Sequence, residues 1–538
     1  MRIILLSVVL LLPGASSWAQ LSADSVQRID QLFSRWNNAT PGVSVAIERN
    51  GKMIYHKAFG LADLEHAVPN TTETIFEAGS VSKQFTAAAI LLLASEGKLS
   101  LDDDVRKYVP ELPVYDKPIT IRHLMNHTSG LKDWGSVGAL SGWPRTTRVY
   151  TQDLALQIIC RQKSLNFSPG SEYSYSNSGY TLMVTIVERV SKLTLAEFTR
   201  TRLFEPAGMK HTQWRDNFRE VVPGRAVAYR SREGAYEQEM PFEHIHGHGG
   251  LLTTTEDLVV WNHQLGKPTL WGTEMARLRE QQGRLTNGQT ISYAGGLFVA
   301  AHNGFREVSH TGATAGYRAY LGWFPDKKLS IALLSNDASF NPGRFGSLVA
   351  DIFLGQAPSP TALSRPSLNV PESELKRYEG TYRSVRMFDV FKLTVKDGKV
   401  WSNDHALTVL HPDTLYLDRL HWIWKKGGQI LLKTPADTGT YAKVKEPAVK
   451  ASYLQELAGT YGSDEADATW RIEVRDGVLW VNHVPPGAWK LEPAFFDGFT
   501  ADGDLYEFKR NKKGQVVSLE VSVSRAERVV FWKQQATK

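Results

Sequence analysis

One cysteine, Cys160, is all the chain carries in 538 residues, so no internal disulfide can form and the lone thiol reads as a buried apolar side chain. No cysteine stands at the N-terminal processing point to carry a lipid. Long apolar runs are also missing: the first, Ile3 to Leu12, is too short for a stable span, and no later run approaches the roughly twenty residues a bilayer requires. Charge of one sign is scarce, with 62 Lys and Arg against 56 Asp and Glu and no basic run. A net charge of +6 spread this way offers nucleic acid no footprint, while a small anionic substrate stays compatible. No His-Asp pair accompanies a G-x-S-x-G elbow, so a serine nucleophile here would need another activating group.

What is present at the N-terminus is a leader pattern. Arg2 precedes the apolar stretch, and Ser17-Trp18-Ala19 supplies the small residues a signal peptidase reads. Residues 1–19 are therefore expected to be a signal peptide, the mature chain to begin at Gln20, and the protein to reach the periplasm or the medium.

Three short signatures follow in order: Ser80-Val81-Ser82-Lys83, Tyr175-Ser176-Asn177 and His310-Thr311-Gly312. Decoys exist, in Ser95-Glu96-Gly97-Lys98 and in His248-Gly249-Gly250 and His302-Asn303-Gly304. Position separates them. Phe85 and the run Ala87 to Leu93 are apolar on every side, which predicts a buried helix with Ser80 at its positive N-terminal pole and Lys83 one turn on, on the same face. Ser95 falls after that run, beside the helix-stopping Gly97, where an alkoxide is disfavoured.

Together the strings resemble the serine β-lactamase and penicillin-binding family, in the branch that holds class C β-lactamases, D-alanyl-D-alanine carboxypeptidases, D-aminopeptidases and related esterases. Thr74-Ile75-Phe76-Glu77-Ala78-Gly79, Ile119 to Leu131 with its Asn126-His127-Thr128-Ser129-Gly130, Glu205-Pro206-Ala207-Gly208-Met209, and Gly249-Gly250-Leu251 with Glu256-Asp257-Leu258 are similar to further family landmarks. The likeness covers about Ala23 to Leu354. It implies an α+β catalytic domain over residues 20–355, an antiparallel sheet flanked by helices plus an all-helical region, and a serine hydrolase that needs no cofactor.

Each motif then has a chemical task. Ser80 is the nucleophile, and Lys83 and Tyr175 must supply its base. A cationic Lys83 beside Tyr175 is expected to lower the tyrosine pKa and make it a proton acceptor, with the choice between the two left open. Asn177 is placed to hydrogen-bond Lys83 and a substrate amide. Arg318 to Phe324 and Leu329 to Ser335, split by Pro325-Asp326, read as a hairpin beside the motif strand, which lays His310, Thr311 and Gly312 along the cleft as substrate-binding residues. The resemblance puts the oxyanion hole at the backbone amides of Ser80 and Ala313, and Gly312 is expected to let substrate approach the backbone. β-Lactamases of the family generally carry Lys where His310 stands. A neutral imidazole holds a carboxylate less firmly, which points toward a peptidase, amidase or esterase. His244, His246 and His248 alternate as metal ligands on one strand face would, but serine chemistry needs no metal and none is expected.

Beyond Leu354 the composition changes. The proline-rich residues 356–372 read as a linker. Leu375, Gly380-Thr381-Tyr382, Asp397-Gly398 and Trp401 recur 79 positions later as Leu454, Gly459-Thr460-Tyr461, Asp476-Gly477 and Trp480, the mark of a duplicated module. Alternating strands such as Phe391-Lys392-Leu393-Thr394-Val395 predict two small antiparallel barrels, lipocalin-like, over residues 373–449 and 450–538. D-aminopeptidases of the family carry two such barrels, and a loop of the last one enters their cleft; this chain shows no long insertion of that kind. Either barrel is open to glycan binding or to homodimerisation. The substrates expected are a small peptide, an ester or a peptidoglycan-derived fragment, with a carboxylesterase or weak β-lactamase as alternatives. A penicillin-binding sensor is the non-enzymatic alternative, though a sensor would lack the full catalytic set.

Overall fold

The structure, a computed structural model, describes residues 21–535 apart from 144–147, 355–366, 387, 403–404, 418–419, 426, 434–437, 448 and 484–486. The expected leader and most of the expected linker lie outside the described residues. No helix among the described residues is long and apolar enough to cross a membrane.

The N-terminal part is built on a six-stranded antiparallel sheet of β1 (Val43–Arg49), β2 (Lys52–Phe59), β3 (Phe298–His302), β4 (Phe305–Thr314), β5 (Tyr317–Phe324) and β6 (Leu329–Ser335), in spatial order β3-β4-β5-β6-β1-β2. Both faces are covered. On β1, Val43, Val45 and Ile47 share a core with Ile29 and Phe33 of α1 (Ala23–Phe33), while Ala46 points the other way into the core that holds α2 (Lys83–Ser95). β1 is accordingly buried from Val43 to Glu48, with no polar-out alternation. α2 is buried at every position from Lys83 to Leu93, as its uniformly apolar sequence requires. It ends at Ser95, followed by Gly97 at φ +69°, so the Ser95 decoy lies at the negative helix pole.

The helical region supplies α4 (Asn177–Ser191), capped by Ser176, which packs against α2, and α3 (Trp134–Ala139), capped by Asp133, which packs against α4. The second motif reaches the first through α4, and the third reaches it along β4 of the sheet.

Two closed eight-stranded barrels follow, from Gly380–Ser384 to Thr438–Val444 and from Gly459–Ser463 to Ala526–Lys533. Closure leaves no strand edge unpaired. The 79-residue repeat maps strand onto strand: Gly380 pairs with Leu393 and Gly459 with Ile472, and the Tyr382 and Tyr461 hydroxyls donate to the carbonyls of Tyr378 and Leu457, each four residues back. Gly380 (φ +140°) and Gly459 (φ +146°) have the same reason to be glycine, a backbone conformation that residues with a Cβ rarely adopt.

The second barrel shares one continuous hydrophobic core with the catalytic part, through Trp470, Leu479 and Phe531 among others. Trp470 Nε1 donates to the Leu140 carbonyl at 3.0 Å, and Lys132 pairs with Glu465 at 2.8 Å with both side chains almost fully buried. The first barrel meets the second through Val390, Ala494 and Leu505 and the Arg383–Glu507 pair. Glu527 lies near this junction, its backbone N–H bonded to Asn166 Oδ1 at 2.9 Å. Burial raises the Glu527 carboxyl pKa from 4.5 to about 7, with the charges of Glu172 and Asp389 adding to the rise. The folded state therefore holds this proton where the unfolded chain releases it, so its stabilising contribution is complete below pH 4.5 and fades as pH rises through about 7. Glu527→Gln is expected to match wild type at pH 4 and to be more stable at pH 8 by on the order of 1–2 kcal/mol, read by thermal unfolding at both values. An equal difference at the two pH values would show that the carboxyl is not strained by burial.

Candidate active site

Ser80 sits in a 3-10 turn, Gly79–Ser82, that runs directly into α2. The turn is pressed against β4 by two glycines. A Cβ at Gly79 (φ +50°) would lie 2.6 Å from the Ala313 nitrogen, and one at Gly312 would lie 2.0 Å from the Ala78 carbonyl oxygen and 3.1 Å from the Ser80 nitrogen. Gly312 thus serves the close approach of the strand to the nucleophile turn, where sequence reasoning assigned it to substrate approach. The Ser80 and Ala313 backbones are neighbours as a result, the arrangement an oxyanion hole requires. β3 begins at Phe298, opposite Ser309, so the edge of β4 from His310 to Thr314 has no β3 residue paired with it and borders the cleft.

Lys83 is fully buried and its Nζ lies 3.2 Å from Ser80 Oγ, 2.9 Å from Asn177 Oδ1 and 2.7 Å from the His248 carbonyl oxygen. Burial, aided by the charge of Arg525, drives its pKa well below the usual lysine value. A neutral amine has two hydrogens for the Asn177 and His248 oxygens and one lone pair, which is then left for the Ser80 hydroxyl proton.

Tyr175 lies beside this group, with Lys83 Nζ 4.8 Å from its ring centre and the His127 ring packed on it at a tilt of 39°, centre to centre 4.3 Å. The expected lowering of its pKa is not met. Burial of the phenol raises it, and the Ser80 hydroxyl and Arg525 only partly offset the rise. The hydroxyl oxygen is buried without a well-formed hydrogen bond among the described residues. A lysine neighbour favours phenolate only while it is charged, and burial removes charge from both partners.

Asn177 opens α4, and its backbone N–H donates to Asp133 Oδ2 at 2.7 Å. Asp133 also accepts from the Gly135 and Ser136 amides, so one buried carboxylate ties α3 to the second motif. His310 is buried, with Nδ1 2.6 Å from the Thr311 carbonyl oxygen and Nε2 3.1 Å from the Tyr293 hydroxyl. Those partners assign the proton to Nδ1, and burial beside Lys83 pulls its pKa down to about 3, so the ring is neutral at physiological pH. Thr311 and Ala313, alternating with it, are exposed. The His244-His246-His248 series does not form a common face: the strand stops at His244, His246 packs on Trp214 at 5.8 Å, and His248 turns its carbonyl to Lys83.

These residues line a cleft of about 890 Å³ that Ser80, Tyr175, Asn177 and the His310 to Thr314 edge share. Sequence reasoning missed Asp133, the role of His127, Tyr293 and above all Arg525. Asp133 carried a helix-cap signal just before Trp134; Arg525 carried none. It stands in the turn between the last two strands, yet lines this cleft, with its guanidinium 5.4 Å from the Tyr175 ring centre. The long insertion that the sequence lacks is unnecessary, because the barrel is docked closely enough for a two-residue turn to reach.

A β-lactamase family model matches residues 26–352. The chain is 30% identical over 309 residues to penicillin-binding protein 4* of Bacillus subtilis, covering 54% of this chain and 67% of that one. It is 28% identical over 484 residues to a D-aminopeptidase of Brucella melitensis, covering 87% and 86%. Among solved structures, the octameric penicillin-binding protein homologue of Pyrococcus abyssi superposes with a TM-score of 0.58 at 25% identity, covering 78% of this chain and 99% of that one. The match runs through the whole sheet and all three motifs, and the chain is accordingly a serine hydrolase belonging to the β-lactamase family.

Proposed function

We propose that the protein is an exported hydrolase that forms an acyl-enzyme on Ser80 and cleaves amide bonds in D-amino-acid-containing peptides, of the D-aminopeptidase or D-alanyl carboxypeptidase type. The observation that carries this reading is the Lys83 amine, buried, held by Asn177 and His248 and 3.2 Å from the Ser80 hydroxyl. Lys83 takes the Ser80 proton as Oγ adds to the substrate carbonyl, and the amides of Ser80 and Ala313 receive the charge on the carbonyl oxygen. Collapse breaks the bond to the leaving amine, which takes the proton back from Lys83, with the Tyr175 hydroxyl placed to relay it. Water then repeats the sequence on the ester. The neutral His310 supports an amide substrate over an efficient β-lactamase role, and the D-aminopeptidase similarity, which spans both barrels, supports the D-amino-acid preference. The short apolar leader supports export.

Intact-mass spectrometry of the protein mixed with a D-alanyl amide, p-nitrophenyl acetate and a penicillin tests the reading. A transient adduct with release of D-alanine or acetate is expected. A penicillin adduct that persists without turnover of either substrate would replace the hydrolase with a sensor.

A further inference from the structure

The motif strand offers a substrate anion no charge, because His310 is buried, neutral and bonded at both nitrogens. Three arginines line the cleft among the described residues. Arg215 is 2% exposed and held in a buried pair with Glu77 at 2.7 Å. Arg318 spends Nη1 on the carbonyls of Ala315 and Tyr317, both at 2.7 Å. Arg525 differs from both. Its side chain is 38% exposed, and its one ion-pair contact among the described residues, Asp133, is 3.7 Å away and already accepts from three backbone N–H groups. The Arg525 guanidinium itself appears in no hydrogen bond among the described residues, only over the Tyr175 ring.

The turn that presents it is fixed. Ser524 takes φ +42°, Val523 pairs with Ala526, and the Arg525 carbonyl accepts from the Asp133 backbone N–H at 3.1 Å and from Asn166 Nδ2 at 3.2 Å. The backbone is clamped to the catalytic part, while the planar fork of donors is left facing the cleft. Such a fork matches a carboxylate in a bidentate pair, and the aromatic surface beneath it limits its motion.

We propose that Arg525, delivered by the second barrel, is a specificity-determining residue that binds a carboxylate of the substrate in the Ser80 cleft. This rests on the reading that Ser80 is acylated, and it narrows the substrate class to amides and esters that carry a carboxylate near the scissile bond. A free amine in the place of that carboxylate meets a like charge, so of the two types named above the carboxypeptidase type is favoured and a D-alanyl amide is the slower substrate.

Two ester pairs test it, each differing by one carboxylate: p-nitrophenyl hemisuccinate against its methyl ester, with the charge on the acyl side, and 3-carboxy-4-nitrophenyl acetate against 4-nitrophenyl acetate, with the charge on the leaving group. The readout is the ratio of kcat/KM within a pair for wild type, Arg525→Lys, Arg525→Ala and Arg525→Glu. Wild type is expected to favour the anionic member of one pair, Arg525→Ala to lower that ratio about 10- to 100-fold mainly through KM, Arg525→Lys to retain part of it, and Arg525→Glu to invert it. The pair that responds shows on which side of the reacting bond the carboxylate sits. Ratios equal in wild type and Arg525→Ala, with Ser80 adducts intact in both, overturn the proposal alone. Hydrolysis without any Ser80 adduct overturns the acylation reading and the proposal with it.

Discussion

Ser80→Ala is expected to lower turnover of every substrate by on the order of 10⁵-fold or more and to abolish the covalent adduct, while the fold stays intact. The side chain removed is small, and it gives up its hydrogen bond with Lys83. The second serine of the motif, Ser82, does not replace it, since it is buried and accepts the Leu251 backbone N–H at 3.1 Å. The measurement is mass spectrometry and steady-state kinetics of the variant beside a thermal unfolding curve. Turnover retained within tenfold in a folded variant would move the nucleophile elsewhere.

Lys83→Met and Tyr175→Phe together decide the base. Lys83 combines proximity to Ser80 with a pKa driven down by burial, whereas burial pushes Tyr175 up. Lys83→Met is therefore expected to cost about 10³- to 10⁴-fold in kcat/KM, and Tyr175→Phe about 10- to 100-fold with the acid limb of the pH profile kept. The sign of that limb follows from the amine: below its pKa Lys83 is protonated and cannot accept the Ser80 proton, so activity rises with pH. Loss of the limb in Tyr175→Phe, with an equal or greater cost than Lys83→Met, would make the tyrosine the base.

Local features were legible in the chain. The all-apolar run after Ser80 places the nucleophile at a buried helix start because helix polarity and burial are both written in consecutive residues. The hairpin of β5 and β6 and the duplicated barrels were legible for the same reason, as alternation and turn residues act over a few positions. Burial that depends on distant segments was not. The Tyr175 pKa was read with the wrong sign since a neighbouring lysine is visible in sequence and the His127 and Tyr293 rings packed around the phenol are not. Gly312 was assigned to substrate because the turn it touches lies far back in the chain. Arg525 has no signal among its sequence neighbours, and contacts with segments far back in the chain, those of Trp470, Lys132, Asp133 and Asn166, bring it to the Ser80 cleft.

The turn holding Arg525 also separates two things that most clefts bind together. The residues that make and break bonds are locked in the buried Gly79–Ser82 turn, the start of α2 and the segment leading into α4, where replacement disturbs close packing, whereas the selecting side chain is carried at a hairpin tip of a closed barrel whose ladder continues on both sides. Changes at such a tip cost the fold little. Substrate preference in this architecture is therefore free to drift by single substitutions at the turn while the reaction chemistry is inherited unaltered, so relatives that keep all three motifs need not share a substrate.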